Sequence, residues 1–284
     1  MLVLKRVAIA TVTLLLVTLA VTRIALRDGG LAGRYPEGLR IGYAVEAPYA
    51  FVDDTGRVTG ESPEVARHVA GRLGLAVTFV QADFGVLLDQ LEEGRYDVVA
   101  AGLFITPERA RRVRFSVPTF QAVGAALVRR GNPKGLHSLD DITATGATVV
   151  VLAASVEEAL AARAGISPEH TIVVPDAAAA RRALEAGRAD LLMLSGPTVH
   201  WMATRDSAGV FEESDLDLGQ AGSGTVDLGG FAFRRDEDVL VNAWNRELAG
   251  LIGTPEHLAL IEPFGFTARF LPPPTGAATA RTTP

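Results

Sequence analysis

Two stretches ninety-three residues apart carry the same punctuation: Leu91-Glu-Glu-Gly-Arg-Tyr-Asp97-Val-Val and Leu184-Glu-Ala-Gly-Arg-Ala-Asp190-Leu-Leu. Each reads as a helix that ends at a glycine C-cap and feeds a buried apolar strand. A strand used in this way belongs to a parallel sheet, whose carboxyl edge is the usual ligand-facing edge. Two such edges facing one another make a cleft. The other origin of the echo is chance similarity in sequence rich in Ala, Leu, Glu and Arg, because helix–glycine–strand punctuation is common.

The surrounding chain supports the α/β reading. Strand-like runs at Leu39–Ala44, Ala76–Gln81 and Val98–Gly102 alternate with a helix from Pro63 and a helix over Val86–Glu93. Ser62-Pro63 and Thr106-Pro107 each read as an N-cap followed by proline in the first turn. Ser155-Val-Glu-Glu158 is a capping-box pattern. A chain of 284 residues, 48% of them hydrophobic, has enough apolar material for two lobes without covalent staples.

Composition removes several classes of function. With no cysteine there is no thiolate metal site, iron–sulfur ligation, cysteine nucleophile or lipid attached at a processed cysteine. His68, His137, His170, His200 and His257 do not fall at metal-ligand spacing, so neither metal nor cofactor is expected. The net charge of −6 has no clustered basic stripe to set against it, which argues against nucleic acid as a partner. Basic residues concentrate instead at the amino end. Lys5 and Arg6 precede the uncharged run Val7–Thr22, an order that reads as an export signal within residues 1–28. As a helix that run would span about 24 Å against a hydrocarbon core of about 30 Å, which favours a cleaved signal over an uncleaved anchor at residues 7–22. The globule is therefore expected to work in the periplasm or another extracytoplasmic space. Residues 29–38 read as a flexible leader and residues 271–284 as a disordered tail.

Over residues 38–270 the chain resembles the family 3 extracellular solute-binding proteins of ABC importers. The resemblance rests on Gly60-Glu-Ser-Pro-Glu-Val-Ala, Gly94-Arg-Tyr-Asp97, Ile105-Thr-Pro-Glu-Arg109 and Val113-Arg-Phe-Ser-Val-Pro118. It continues through Leu127-Val-Arg-Arg-Gly-Asn132, Gly229-Gly-Phe-Ala-Phe233 and Gly253-Thr-Pro-Glu-His257. Glu46-Ala-Pro-Tyr49-Ala-Phe51 and Pro263-Phe-Gly-Phe-Thr267 look most like the ectoine and hydroxyectoine binders within that family. The resemblance implies a two-lobe α/β fold of the periplasmic-binding-protein type (type II), with two hinge crossings and a small solute in the cleft. The crossings are expected near Leu127–Gly131 and Gly219–Thr225. Lobe 1 would then hold residues 38–127 and 225–270, and lobe 2 residues 131–219.

Arg109 carries the sharpest physical signal. Thr106 and Pro107 place it in the first turn of a helix, where the partly positive helix end disfavours a cation unless an anion is at hand. A ligand carboxylate repairs the conflict and can take both guanidinium bonds, and the resemblance makes Arg109 the carboxylate clamp. An ordinary pair with Glu108 is the alternative. From lobe 2, Ser155 could grip the same carboxylate with its hydroxyl and nearby amides, or serve only as an N-cap. Tyr49, Phe84 and Phe104 lie where the resemblance puts a cage around the cation, with lobe core as the other reading of each. Phe51, Phe115 and Phe120 are assigned to core. Glu46 could supply the matching negative charge or accept N–H bonds from an amidinium ring.

Ser195 departs from the family pattern. Many amino-acid-binding members have there an Asp that accepts the ligand's α-ammonium, and a neutral hydroxyl cannot supply that charge. Asp227 is a weaker candidate for a replacement acid. The leading reading is a monomeric, non-enzymatic receptor that hands a zwitterionic compatible solute, ectoine or hydroxyectoine first, to an ABC permease. A polar amino acid is the second ligand class. An extracellular dehydratase on the same fold, with Glu46 beside Arg109 as its acid, is a third reading.

Overall fold

The computed structural model describes residues 30–214, 216 and 227–273. The expected signal at residues 1–28, the crossing at Gly219–Thr225 and most of the expected tail lie outside the described residues.

The strands are β1 (Leu39–Tyr43), β2 (Phe51–Val52), β3 (Val58–Thr59), β4 (Val77–Gln81), β5 (Val98–Val99), β6 (Arg114–Phe115) and β7 (Phe120–Ala122). They continue with β8 (Gly124–Arg129), β9 (Val149–Leu152), β10 (Thr171–Val174), β11 (Leu191–Ser195), β12 (Phe211–Ser214), β13 (Asp227–Gly229) and β14 (Ala232–Phe233). Two five-stranded sheets form, in the orders β4-β1-β5-β14-β6 and β10-β9-β11-β8-β12. Their pairings match step for step: two parallel, then two antiparallel. The chain therefore builds one mixed sheet twice.

The echo marks this repetition. Gly94 (φ 73°) and Gly187 (φ 69°) end the helices Leu87–Glu92 and Ala177–Glu185, and the strands that follow, β5 and β11, sit third in the two sheet orders. The echoed acids tie the sheets together in the same way. Asp97 accepts the Arg40 main-chain N–H at 3.0 Å, and Asp190 accepts that of Thr148 at 2.8 Å. Each also holds a cation, Arg40 or Lys134.

Every residue of β9 and β11 is buried, the signature of strands covered on both faces. Val149 and Val151 join Met193 and Leu160 on one side, while Val150 and Leu152 join Leu194 and Leu184 on the other. The alternation follows from the period-two geometry of a strand. In the first sheet, Ile41, Val98 and Phe233 pack with Trp244 on one face, and Val99 packs with Leu87, Leu91 and Tyr96 on the other.

The first crossing lies earlier than Leu127–Gly131. β7 pairs with β13 as a short two-stranded link, whereas β8 already belongs to the second sheet, with Gly124 opposite Ser195 and Leu127 fully buried. The change of lobe therefore falls at Ala122–Gly124, around an exposed Val123. Residues 30–122 and 227–273 carry the first sheet and the two-stranded link, and residues 124–214 carry the second sheet. A crossing and a strand are both extended, and pairing alone separates them. One cap is also displaced: the helix Glu61–Arg72 starts at Gly60, so Ser62 lies inside it and bonds the Glu61 carboxyl at 2.6 Å. Thr106 and Ser155 do cap their helices, accepting from Arg109 N at 3.2 Å and Glu158 N at 3.0 Å.

Candidate functional site

Loops leaving the carboxyl ends of parallel strands from both sheets converge on one cleft, as the topology of α/β sheets favours. β1 leads to Glu46, β4 to Phe84, and β5 to Gly102, Phe104 and Arg109. From lobe 2, β9 ends at Leu152 before Ser155 and Glu157, and β11 ends with Leu194 and Ser195. These residues line one shared cleft between the lobes.

The Arg109 side chain leaves its short helix and enters the cleft. Its Nη1 donates to Phe104 O at 2.9 Å within lobe 1, and its Nη2 to Ala154 O at 2.9 Å in lobe 2. The guanidinium also stands 5.6 Å from the centre of the Phe84 ring. Burial lowers its pKa, opposed by the negative fields of Glu157, Glu108 and Glu46. Ala154 is held for this contact in the left-handed region, φ 58°, with its N–H donated to the Glu158 carboxylate at 2.6 Å. That conformation costs an L-residue of order 1 kcal/mol, so Ala154 is a strained point of the cleft.

Glu46 sits in a tight loop closed by two main-chain hydrogen bonds with Ala50. Its Oε1 accepts from Thr198 Oγ1 at 2.7 Å, and Thr198 in turn accepts from Ser195 Oγ at 3.1 Å. Ser195 stands at the start of the helix Gly196–Thr204 without capping it, its hydroxyl committed to Thr198 instead. Burial pushes the Glu46 carboxyl up to about 7, against the Thr198 bond and the Arg109 charge, which both lower it.

Six of the seven residues named from sequence line this cleft: Glu46, Phe84, Phe104, Arg109, Ser155 and Ser195. Tyr49 stands apart. Its ring is 1% exposed and packs in lobe 1 against Phe120 (4.9 Å) and Phe266 (5.2 Å). Gly102, at φ 63°, passes so close that a Cβ there would lie 2.4 Å from the Tyr49 ring. Only the Tyr49 hydroxyl turns toward the site, with Ser195 as its polar neighbour but no hydrogen bond of ordinary geometry. Phe51, expected in the lobe core, is half-buried and meets Trp201 of lobe 2 at 5.5 Å. Asp227 is half-buried on β13, its carboxyl raised by burial and lowered by Arg109 and Arg163.

Sequence reasoning missed Glu157 and Thr198. Glu157 follows the Ser155 cap, in the first turn of the helix Val156–Arg163, and is 4% exposed. Its Oε1 has no hydrogen-bond partner, and its pKa is raised to about 7, first by burial and then by the negative field of Glu46. Acids in a helix's first turn are common surface residues, which is why the capping-box pattern concealed it. Thr198 is fully buried, and only its place three residues after Ser195 hinted at a partner.

Residues 39–266 match the model of the bacterial extracellular solute-binding proteins, family 3. A probable amino-acid ABC transporter periplasmic-binding protein of Sinorhizobium fredii is 29% identical over 80% of this chain and 77% of its own length. The lysine/arginine/ornithine-binding periplasmic protein of Escherichia coli is 28% identical over 76% and 83%. Among solved structures, EhuB in complex with hydroxyectoine superposes with a TM-score of 0.74 at 34% identity, covering 81% of this chain and 89% of that one.

Proposed function

The chain belongs to the bacterial extracellular solute-binding proteins, family 3, and from that premise we propose that it binds a small zwitterionic solute between its lobes for delivery to an ABC permease. The observation that carries the reading is the buried Arg109, whose present bonds go to carbonyls, set in one cleft with the buried acids Glu46 and Glu157. A carboxylate takes the guanidinium in a two-point pair while the acids take the cation. Ser155 and the adjoining amides grip the carboxylate from lobe 2. The chain acts outside the cytoplasm, as a monomeric receptor that releases its solute unchanged.

Ectoine or hydroxyectoine is the first ligand. Phe84 and Phe104, both on the cleft lining, offer aromatic surface to a planar amidinium, whose in-plane N–H groups suit acids. EhuB, the structural neighbour cited above, was solved with hydroxyectoine. A polar amino acid is the second ligand, and Glu157 is the observation that favours it. The localised negative charge that Ser195 cannot give an α-ammonium is available from Glu157, on the same lobe. A thermal-shift panel of ectoine, hydroxyectoine and polar amino acids separates the two. Ligand at about 1,000 times its dissociation constant adds about 4 kcal/mol of stability. Recovery of the ligand unchanged after incubation distinguishes a receptor from a dehydratase.

A further inference from the structure

Glu46 and Glu157 approach the cleft from opposite lobes, and their acceptors are differently committed. Glu46 gives one oxygen to Thr198. Glu157, 4% exposed, has an Oε1 without any partner. Thr198 donates its hydroxyl hydrogen bond to Glu46, and Ser195 donates its own to Thr198. That hydroxyl chain therefore has no hydrogen left over to give Glu157. A donor for Glu157 Oε1 has to arrive with the solute, because a buried carboxylate oxygen left without a hydrogen bond is costly.

We propose that Glu157 is a second acceptor for the cationic end of the solute, opposite Glu46, and that the cleft takes a cation with at least two N–H donors and rejects a fully N-alkylated one. This rests on the zwitterion reading above and narrows it. A quaternary ammonium carries the charge but no N–H, so it would leave Glu157 Oε1 desolvated without a hydrogen bond. Aromatic faces alone would accept it well, and the paired acids make the difference. A cyclic amidinium has two N–H groups pointing apart in its plane, and a primary or secondary ammonium has two or three. Both of the solutes considered above satisfy the rule; betaines fail it. Arg109, on the same cleft, stays with the carboxylate, and Glu157 sets selectivity for the cationic group.

The test is calorimetric titration of the wild-type chain and of Glu157→Gln. The N–H ligands are ectoine, glutamine and proline; glycine betaine and N,N-dimethylproline have none. Proline and N,N-dimethylproline form a matched pair. The wild type is expected to bind at least one N–H ligand, and each N–H ligand that it binds at least about tenfold more tightly than either betaine, the equivalent of one charge-assisted hydrogen bond. Glu157→Gln is expected to weaken the N–H ligands by about tenfold or more and to leave the betaines unchanged or tighter, with ligand-free melting unchanged or raised. A wild type that binds betaines as well as their N–H counterparts overturns the proposal and leaves the zwitterion reading standing. Equal weakening of both classes by Glu157→Gln also overturns it, since the residue would then support the lobe and not the cation. A wild type that binds no zwitterion overturns both readings. The wild-type comparison needs no variant, so a poorly folding Glu157→Gln does not rescue the idea.

Discussion

Thr198 Oγ1 donates to Glu46 Oε1 at 2.7 Å, joining lobe 2 to lobe 1 across the cleft with both side chains buried. A bond to a charged group is worth about 1.5–3 kcal/mol, so Thr198→Val, which keeps the shape and loses the hydroxyl, should weaken solute binding about tenfold. Glu46 can escape part of the cost by taking up a proton, which sets the effect at the lower end. Calorimetry at fixed pH measures it; unaltered affinity would mean that the bond contributes nothing to the closed, liganded state.

Arg109→Ala should reduce affinity by at least about 2 kcal/mol, because the carboxylate then enters a buried site with no cationic partner. Arg109→Lys should recover only part of this, since an ammonium cannot serve Phe104 O, Ala154 O and a bidentate carboxylate together. Near wild-type binding by the alanine variant would remove the clamp from the mechanism.

The buried acids make a pH prediction whose sign is fixed. Burial raises Glu46, Glu61 and Glu157 from 4.5 to about 7 in the folded protein. Between those values the fold holds protons that the unfolded chain releases, so ligand-free stability is greatest at the acid end and falls as pH rises through that window. A solute cation between Glu46 and Glu157 favours their ionised forms, so binding expels protons and tightens as pH rises. Glu61, hydrogen-bonded to Ser62 and away from the cleft lining, adds to the stability slope alone. Melting curves at several pH values, with titrations in buffers of different ionisation enthalpy, report the two slopes separately. Affinity flat across the window would sink the coupling.

Much of this site was legible because its cues are local. Thr106-Pro107 fixes the helix that carries Arg109, and the echoed glycines fix where β5 and β11 begin. What stayed hidden depends on pairing across the chain. Whether Gly124–Arg129 links the lobes or joins a sheet is decided by its partner β11, nearly seventy residues away. Tyr49 looked like a loop aromatic and is core, because Gly102, Phe120 and Phe266 close over it. Glu157 is indistinguishable in sequence from a solvated first-turn acid until lobe 1 is placed against it.

Tyr49 accordingly calls for two substitutions. Tyr49→Leu leaves a void among tightly packed rings and should cost about 2–4 kcal/mol of stability, read as a lower melting temperature without ligand. Tyr49→Phe removes a buried hydroxyl that lacks a partner, and should leave ligand-free stability unchanged or raised. A large loss of ligand-free stability in Tyr49→Phe would show that the hydroxyl has a structural bond.

The chain has two tryptophans, and they occupy different situations. Trp244 is fully enclosed in lobe 1, 5.3 Å from Phe231 and 5.7 Å from Phe233. Trp201 is half-buried on lobe 2, 5.5 Å from Phe51 of lobe 1, with the Arg205 guanidinium 3.2 Å from its ring centre. An aromatic pair of this kind adds about 0.5–1.5 kcal/mol beyond area burial, and here it is formed only when the lobes meet. Solute binding should therefore change the emission of Trp201 and leave that of Trp244 unaltered. In Trp201→Phe the ligand-induced fluorescence change should vanish while the heat of binding persists. Phe51→Ala should weaken binding by about three- to tenfold by destabilising the closed state, without lowering the melting temperature of the ligand-free chain by more than a few degrees. A full fluorescence response in Trp201→Phe would mean that binding perturbs the interior of lobe 1 and not the contact between Phe51 and Trp201.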